Sequence, residues 1–295
     1  MTATPGSGAA LTPNEKAAVL SEALPYIRRF WGQVVVVKYG GSAMEDPALA
    51  RSFANDIVLM RSVGMRPVVV HGGGPQIGSL MERLGKQPEF RDGLRVTDAD
   101  TLDIARMVLV GKVNRDIVSS INVHDPLAVG LSGEDAGLIT AVARHPDLGF
   151  VGDVEGVNPG IIERLIAEDL IPVVATIGSG VGGQAYNINA DAVAAAVAEA
   201  LGAAKLVYLT NVAGLLREVG DPASLISEVT AGELEKLVAD GVVAEGMIPK
   251  VDGCLRAVRG GVPRAHVLDG RVPHALLLEV FTDEGVGTMV MDGEL

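Results

Sequence analysis

Two lysines and an aspartate, far apart in the chain, each lie where a protein can bind an anion. Lys38 follows four valines and precedes Gly40 and Gly41, whose backbone N–H groups can approach a ligand closely. Lys250 lies at the start of a predicted helix, where a positive side chain is unfavourable unless an anion binds there. Asp191 lies in the first turn of another predicted helix, where its charge is favoured and can hold a lysine. This set of residue types is suited to binding a phosphate group.

A second glycine cluster, Gly72 to Gly74, again separates a predicted strand from a predicted helix. Two such turns at one edge of a sheet would present two backbone cradles to one crevice. With His71 the cluster is similar to the oxyanion loop of lipases, but the sequence has no Gly-x-Ser-x-Gly elbow, which excludes an esterase. The sequence also lacks the P-loop pattern Gly-x-x-x-x-Gly-Lys-Ser/Thr. The Gly73 and Gly74 amides therefore predict an anion site of another kind.

Polar side chains suited to a small ligand occur at two further places. Asn187 and Asn189 point to the same side of a segment predicted to be extended, and Arg95 can form a fork onto a carboxylate. Taken alone, the asparagines are equally compatible with helix caps, and Arg95 with an exposed surface residue. Lys38 and Lys250, taken alone, are likewise compatible with exposed surface lysines. The motifs together are therefore more informative than any one of them.

A rival interpretation rests on residues 178–183, which match the dinucleotide pattern Gly-x-Gly-x-x-Gly after a predicted strand. No helix is predicted to begin at the third glycine, and no acidic residue ends a second predicted strand at the expected distance of about 20 positions. The segment is therefore predicted to be a hairpin loop, while a nicotinamide-dependent enzyme stays a distant alternative. The five histidines are scattered and have no metal-ligand spacing, so we predict no metal site built by the protein itself.

Composition restricts the partners and the compartment. The net charge of −13 disfavours nucleic-acid binding, because a phosphate backbone would be repelled. The single cysteine, Cys254, is expected to be a buried apolar residue, and it requires no oxidising compartment. The first twelve residues have no signal-peptide character and are predicted to be a disordered tail. No apolar run approaches the roughly 18 residues of a membrane span. We therefore expect a cytoplasmic protein that binds no membrane.

Short β-branched runs alternate with helix-length segments along the chain. The predicted strands are 33–38, 66–71, 127–131, 171–176, 205–210 and 265–268. Continuous apolar runs suit strands buried on both faces, so the alternation predicts an α/β protein with a largely parallel sheet. We predict three parts, namely the tail with an amphipathic oligomer-contact helix (1–30), a first lobe (31–202) and a second lobe (203–295).

The motifs occur together in an order that resembles the amino acid kinase family. The matching segments are 38–44 (KYGGSAM), 71–77 (HGGGPQI), 93–97 (GLRVT), 186–191 (YNINAD) and 246–251 (GMIPKV). The resemblance extends from about residue 24 to residue 291 and is most specific to the branch that phosphorylates N-acetyl-L-glutamate. This collinear set is far more specific than any single motif.

The resemblance implies a three-layer αβα sandwich, with N-acetyl-L-glutamate bound by the first lobe and ATP, with Mg²⁺, by the second. By similarity, Lys38 and Lys250 flank the transferred phosphoryl group and Asp191 orients both lysines. Main-chain amides that bind phosphate would come from two glycine pairs, Gly40 with Gly41 and Gly73 with Gly74, the second pair also contacting the substrate. Arg95 and Asn187 would hold the polar groups of N-acetyl-L-glutamate. Aspartate kinase, glutamate 5-kinase and carbamate kinase are the related alternatives.

The C-terminal part of the chain is similar to the arginine-inhibited branch of that family. By this resemblance Tyr26, Glu279 and Gly285 lie in a site for L-arginine, and the N-terminal helix joins subunits into a hexamer. An ordinary surface ion pair is the alternative for Glu279. A non-catalytic arginine sensor of the same fold is the alternative function from a different class, and the presence of both lysines and of Asp191 argues against it.

Overall fold

The valine- and isoleucine-rich runs form the strands of a central sheet, and one of these strands carries Lys38. In a computed structural model, the described residues are 12–40, 44–218, 220–243, 245–282 and 285–293, so Gly41 and most of the predicted tail lie outside them. The strands are, in chain order, Val34–Tyr39 (β1), Arg66–His71 (β2), Phe90–Arg91 (β3), Leu94–Arg95 (β4), Ala128–Ser132 (β5), Ile139–Ala143 (β6), Val151–Val157 (β7), Ile171–Ala175 (β8), Ile177–Ser179 (β9), Ala185–Ile188 (β10), Lys205–Thr210 (β11), Glu228–Thr230 (β12), Arg264–Asp269 (β13) and Thr288–Met291 (β14).

Eight of these strands form the central sheet in the order β12-β14-β13-β11-β1-β2-β8-β5. Neighbouring strands from β13 to β5 run parallel, β14 runs antiparallel to β13, and β12 pairs parallel with β14. Val36 and Val37 of β1 point to opposite faces and are both fully buried. Burial on both faces explains why the strands read as continuous apolar runs. The predicted, mainly parallel sheet is confirmed.

Helices cover both faces of the sheet. They are Pro13–Phe30 (α1), Pro47–Ser62 (α2), Gly74–Arg83 (α3), Ala99–Arg106 (α4), Asn114–Asn122 (α5), Gly160–Ala167 (α6), Ala190–Ala200 (α7), Ala231–Ala239 (α8), Ile248–Arg259 (α9) and Ala275–Phe281 (α10). A wide π-helical turn, Met107–Val113, joins α4 to α5. Buried residues of α6, α7, α8 and α9 form one apolar core, and those of α2, α3, α5 and α10 form the other. The predicted three-layer arrangement is confirmed.

A second, smaller sheet extends from the end of β8. Strands β6, β7, β9 and β10 pair with one another so that the sheet closes on itself. Strands β9 and β10 are antiparallel neighbours, and the glycine-rich segment 180–184 connects them. The prediction of a hairpin loop at 178–183 is therefore confirmed; the loop contains a single 3-10 turn, Val181–Gly183, and no α-helix begins there.

The predicted helix that carries Asp191 is α7, which is rich in alanine and has Asn189 as its N-cap. The Asn189 side chain accepts hydrogen bonds from the N–H groups of residues 191 and 192, at 2.8 and 3.2 Å. The alanine side chains of α7 are small, so this helix packs closely on the sheet and on α9. The central sheet is continuous across the predicted lobe boundary after Gly202, because β1 pairs directly with β11. Within the described residues, no helix has the length and apolarity needed to cross a bilayer.

Candidate active site

One carboxylate is shared by two ammonium groups at the carboxyl end of the sheet. Lys38 Nζ lies 3.0 Å from Asp191 Oδ1, and Lys250 Nζ donates a hydrogen bond of 3.3 Å to Asp191 Oδ2. The three side chains are separated by 59 or more positions along the chain and are brought together by β1, α7 and α9. The structure therefore joins the three residues that the sequence marked as anion-binding candidates.

Burial makes this cluster an unusually strong electrostatic unit. The exposed fraction of the Asp191 side chain is 7%, and those of Lys38 and Lys250 are 11% and 17%. Burial by itself would raise the pKa of Asp191, but the charges of Lys38 and then Lys250 outweigh it and hold that pKa below its usual value. The carboxylate is therefore ionised. With two cations and one anion, the cluster keeps a net charge of about +1 in a poorly solvated place.

Local geometry explains how the cluster is held. Lys38 is the fifth residue of β1, and its side chain turns back over Gly40, where a Cβ atom would lie 2.8 Å from Lys38 Nζ. Any larger residue at position 40 would displace the ammonium group. Asp191 and Lys250 each lie in the first turn of a helix, so two helix N-termini point their positive ends at the same place.

A cleft of about 240 Å³ opens beside the cluster. Seven of the predicted site residues line it, namely Lys38, Gly40, Gly73, Gly74, Arg95, Asn187 and Asp191. Lys250 is not in its wall and reaches the cluster from the other side of Asp191. Helix α3 begins in the wall at Gly74, and no described side chain caps its first N–H groups. Those groups need an acceptor, so they are available to an anionic ligand.

Arg95 and Asn187 supply further polar groups to the wall of the cleft. The Arg95 guanidinium donates a 2.8 Å hydrogen bond to the carbonyl oxygen of Gly74 and lies 4.7 Å from the centre of the Phe90 ring. Asn187 Nδ2 donates to Thr97 Oγ1 at 3.3 Å. Burial lowers the pKa of Arg95, but an arginine this basic stays charged. A ligand with a carboxylate and further polar groups would find matching donors here.

A buried polar bridge beneath the glycine turn had not been expected from the sequence. Asn114 Nδ2 lies 3.1 Å from His71 Nε2 and donates a 2.8 Å hydrogen bond to the carbonyl oxygen of Val173. His71 Nδ1 lies 2.9 Å from the carbonyl oxygen of Gly72, so the neutral ring can accept at Nε2 and donate at Nδ1. Burial lowers the pKa of His71 to about 4. The two residues are 43 positions apart, and no local pattern links them.

The residues predicted for an effector lie away from the cleft, near α10. Glu279 Oε2 is 3.6 Å from where a Cβ atom on Gly285 would lie, and Glu279 Oε1 is 2.7 Å from His266 Nδ1. Tyr26 belongs to α1, which packs against α10. Burial lowers the pKa of the nearby Lys205 to about 8. The structure thus brings Glu279 and Gly285 together and places the helix of Tyr26 beside them.

The described ranges contain no group of three or more His, Cys, Asp or Glu side chains arranged to hold a metal ion. The charged cluster instead offers cations. Such a site can stabilise the negative charge of a phosphoryl group next to a bound carboxylate ligand. Phosphoryl transfer requires this stabilisation.

Comparisons with known proteins agree with this geometry. The model of the amino acid kinase family matches residues 33–269. The acetylglutamate kinase of Moorella thermoacetica is 56% identical over 294 residues, which cover 96% of this chain and 99% of that protein.

Two solved structures extend the comparison. The N-acetylglutamate synthase of Neisseria gonorrhoeae, in complex with coenzyme A and N-acetyl-glutamate, matches with a TM-score of 0.83 and 28% identity. The match covers 95% of this chain and 64% of the synthase chain, so this chain spans less than two thirds of that protein. The same synthase with coenzyme A and L-arginine matches with a TM-score of 0.76 and 26% identity, over 94% of this chain and 65% of that one.

The buried bridge predicts a specific pH dependence of stability. A histidine in the unfolded chain has a pKa near 6.5 and His71 one of about 4, so between these values only the unfolded state takes up the proton. Stability is therefore lost as the pH falls through this window, by about 2 kcal/mol at pH 5. Urea unfolding at pH 8 and pH 5 should show that the His71→Gln variant lacks this loss. The His124→Gln control removes an exposed histidine and should behave like the wild type; equal pH dependence of the His71 variant would contradict the assignment.

Proposed function

Because the chain belongs to the amino acid kinase family, we propose that it phosphorylates the side-chain carboxylate of N-acetyl-L-glutamate with ATP, as an acetylglutamate kinase of arginine biosynthesis. A carboxylate oxygen forms a bond to the γ-phosphorus, the bond from that phosphorus to the bridging oxygen breaks, and ADP leaves. The product is N-acetyl-L-glutamyl 5-phosphate. The observation that carries the proposal is the carboxylate of Asp191, shared between Lys38 and Lys250, beside a cleft that Arg95 lines.

The residue types fit this chemistry because the nucleophile is already a carboxylate at pH 7 and needs no general base. The difficulty is to bring two anions together, so catalysis depends on positioning and on charge stabilisation. Lys38 and Lys250 supply the two positive charges on either side of the transferred group. Asp191 keeps both ammonium groups in place and limits the net charge, so that the product can still leave.

The two lobes supply different parts of this site. We assign N-acetyl-L-glutamate to the first lobe (31–202), where Arg95 binds its α-carboxylate and Asn187 a neighbouring polar group. Gly40, Gly73 and Gly74 contribute backbone N–H groups toward the phosphate, and Gly41 keeps the same predicted role. We assign ATP to the second lobe (203–295), which contributes Lys250. The ion pair of Asp191 with Lys250 therefore crosses the proposed lobe boundary, where the reactants must meet.

ATP is expected to bind as its magnesium complex. Mg²⁺ is held in many kinases by phosphate oxygens, waters and one or two carboxylates. Among the described residues that line the cleft, Asp191 is the one carboxylate and is engaged by two lysines, so the triphosphate oxygens and waters would hold the ion. When bound, the ion neutralises charge on the triphosphate. Because the reaction consumes cellular ATP and the chain carries a single cysteine, we place it in the cytoplasm.

An ADP-release assay across four acceptors tests the function directly. N-acetyl-L-glutamate should be phosphorylated at least about 100-fold more efficiently than L-glutamate, L-aspartate or carbamate, because a site that hydrogen-bonds a substrate group discriminates strongly against analogues without it. Preference for one of the other acceptors would assign the chain to a different carboxylate kinase. Release with none of them, in protein that still binds L-arginine, would indicate the non-catalytic sensor.

Loss of either lysine should lower turnover without unfolding the protein. Lys38→Ala and Lys250→Ala should each reduce kcat by about 10²- to 10³-fold, the range for removing one group that stabilises the transition state. The control is Lys236→Ala, which removes an exposed lysine of α8 and should leave kcat unchanged. Unchanged turnover in either site variant, with its circular dichroism spectrum intact, would reject the role of that lysine.

We further propose inhibition by L-arginine at Tyr26, Glu279 and Gly285. The largely buried Glu279 carboxylate offers a partner for a guanidinium group, and a related synthase has been solved with L-arginine. A hexamer held together by α1 is the corresponding assembly. The apolar residues Val19, Leu20 and Leu24 of α1 support this assembly, because their exposed fractions are 53%, 73% and 46% and a subunit contact would bury them.

Arginine titration of the turnover rate checks the effector site. Millimolar L-arginine should inhibit the wild type, and Glu279→Gln should raise the half-inhibitory concentration by at least about tenfold, since a charged hydrogen bond is lost. Glu168→Gln, at an exposed position after α6, is the matched control and should keep the wild-type curve. A flat wild-type curve would refute the proposal.

A further inference from the structure

Tyr208 lies at the meeting point of the three elements that carry the charged cluster. It is the residue of β11 that pairs in register with Lys38 of β1, and its side chain is fully buried. Its hydroxyl donates a 3.0 Å hydrogen bond to the main-chain carbonyl oxygen of Asp191. The phenol therefore connects the sheet to the first turn of α7, at the very residue that pairs with both lysines.

The other side of the Tyr208 hydroxyl faces α9. A Cβ atom on Gly253 would lie 2.1 Å from the hydroxyl oxygen, 3.0 Å from Cζ of the same ring and 3.4 Å from the Asp191 carbonyl oxygen. Real Cβ atoms do not approach an oxygen to 2.1 Å, so only glycine fits here while α9 stays in place. The contact is between a rigid ring and a helix backbone, so neither side can give way easily.

Gly253 is one helical turn after Lys250, so the two residues lie on the same face of α9. The distance between α7 and α9 at this turn decides whether Lys250 Nζ can reach Asp191. We propose that Tyr208 and Gly253 act as a spacer that sets this distance and so positions Lys250 on Asp191 for phosphoryl transfer. Neither residue touches the reactants in this proposal, which rests on the proposed function, and both are positioning residues.

The same two helices also contact each other nearer their C-terminal ends. Arg256 Nε donates to Glu199 Oε2 at 3.2 Å, an ion pair between α9 and α7. Additional volume at Gly253 would therefore tilt the first turn of α9 away from α7 more than it would shift the whole helix. A displacement of about 1 Å of a catalytic group is enough to lower the rate by about 100-fold.

The test is a pair of substitutions: the first should lower turnover, and the second should restore it. Gly253→Ala should lower kcat by about 10- to 100-fold and change the KM for N-acetyl-L-glutamate by less than about twofold, because Arg95 and Asn187 lie on other elements. Adding Tyr208→Phe removes the hydroxyl and leaves the ring carbon at 3.0 Å as the nearest atom, a contact that a small shift relieves. The double variant should return to within about threefold of Tyr208→Phe alone.

Gly232→Ala is the matched control, because Gly232 is also helical and a Cβ atom there would meet nothing within 4 Å. It should retain the wild-type kcat. Wild-type turnover by Gly253→Ala, or a double variant no faster than Gly253→Ala, would overturn the spacer. If Gly253→Ala yields no folded protein, the double variant must recover both a cooperative thermal transition and turnover, and its failure to do so also counts against the proposal.

Crystal structures of the variants separate this inference from the proposed function. The distance from Lys250 Nζ to Asp191 Oδ2 is 3.3 Å in the wild type and should exceed the ion-pair limit of about 4 Å in Gly253→Ala. It should return below that limit in the double variant. This readout needs no turnover, so a wild type that fails to phosphorylate N-acetyl-L-glutamate would defeat the proposed function and leave the spacer testable.

Discussion

The structure depends on one buried carboxylate that is stable only between two ammonium groups. An ionised aspartate with 7% of its side chain exposed would be strongly unfavourable alone, and each lysine would be nearly as unfavourable without it. The three charges therefore stabilise one another. Because three elements contribute one charge each, the sheet, α7 and α9 must all be in place before the cluster exists. The cluster is thus a product of the complete tertiary structure.

Helix packing then decides how accurately the charges meet. The alanines and valines of α7 are small enough for the helix to lie close to both β1 and α9, and Asn189 fixes where it begins. Close packing is useful here because a short carboxylate has little reach, and Asp191 must contact both lysines from a fixed backbone position. Helix α9 is placed by backbone contact at Gly253, whereas Lys38 is placed by the open space above Gly40. Two glycines therefore serve positioning by offering room, one for a ring and one for an ammonium group.

Much of this arrangement can be predicted from the sequence. The rest cannot, and the cause is physical. Strands at 66–71 and 205–210 are predicted to the residue, because runs buried on both faces have an unmistakable composition. Of the small closed sheet, the hairpin of β9 and β10 is predicted, whereas β6 and β7 are missed because both strands are partly exposed and lack a continuous apolar run. The motifs indicate which residues can bind an anion, whereas their meeting at Asp191 is implied only by the family resemblance. The bridge from His71 to Asn114 and the contact of Tyr208 with Gly253 involve separations of 43 and 45 positions and leave no local pattern.

The overall acidity of the chain does not conflict with a site for two anionic reactants. At physiological ionic strength exposed charges are screened over about 8 Å, so the carboxylates that produce the net charge of −13 act weakly on the cleft when they are remote and solvated. The cluster of Lys38, Lys250 and Asp191 is screened far less because it is buried. An anion in the cleft therefore experiences mainly the local charge of about +1 and the positive ends of α3, α7 and α9. The few desolvated charges decide the sign of the electrostatic potential in a binding site. Here they are two lysines and one aspartate, so the potential is positive.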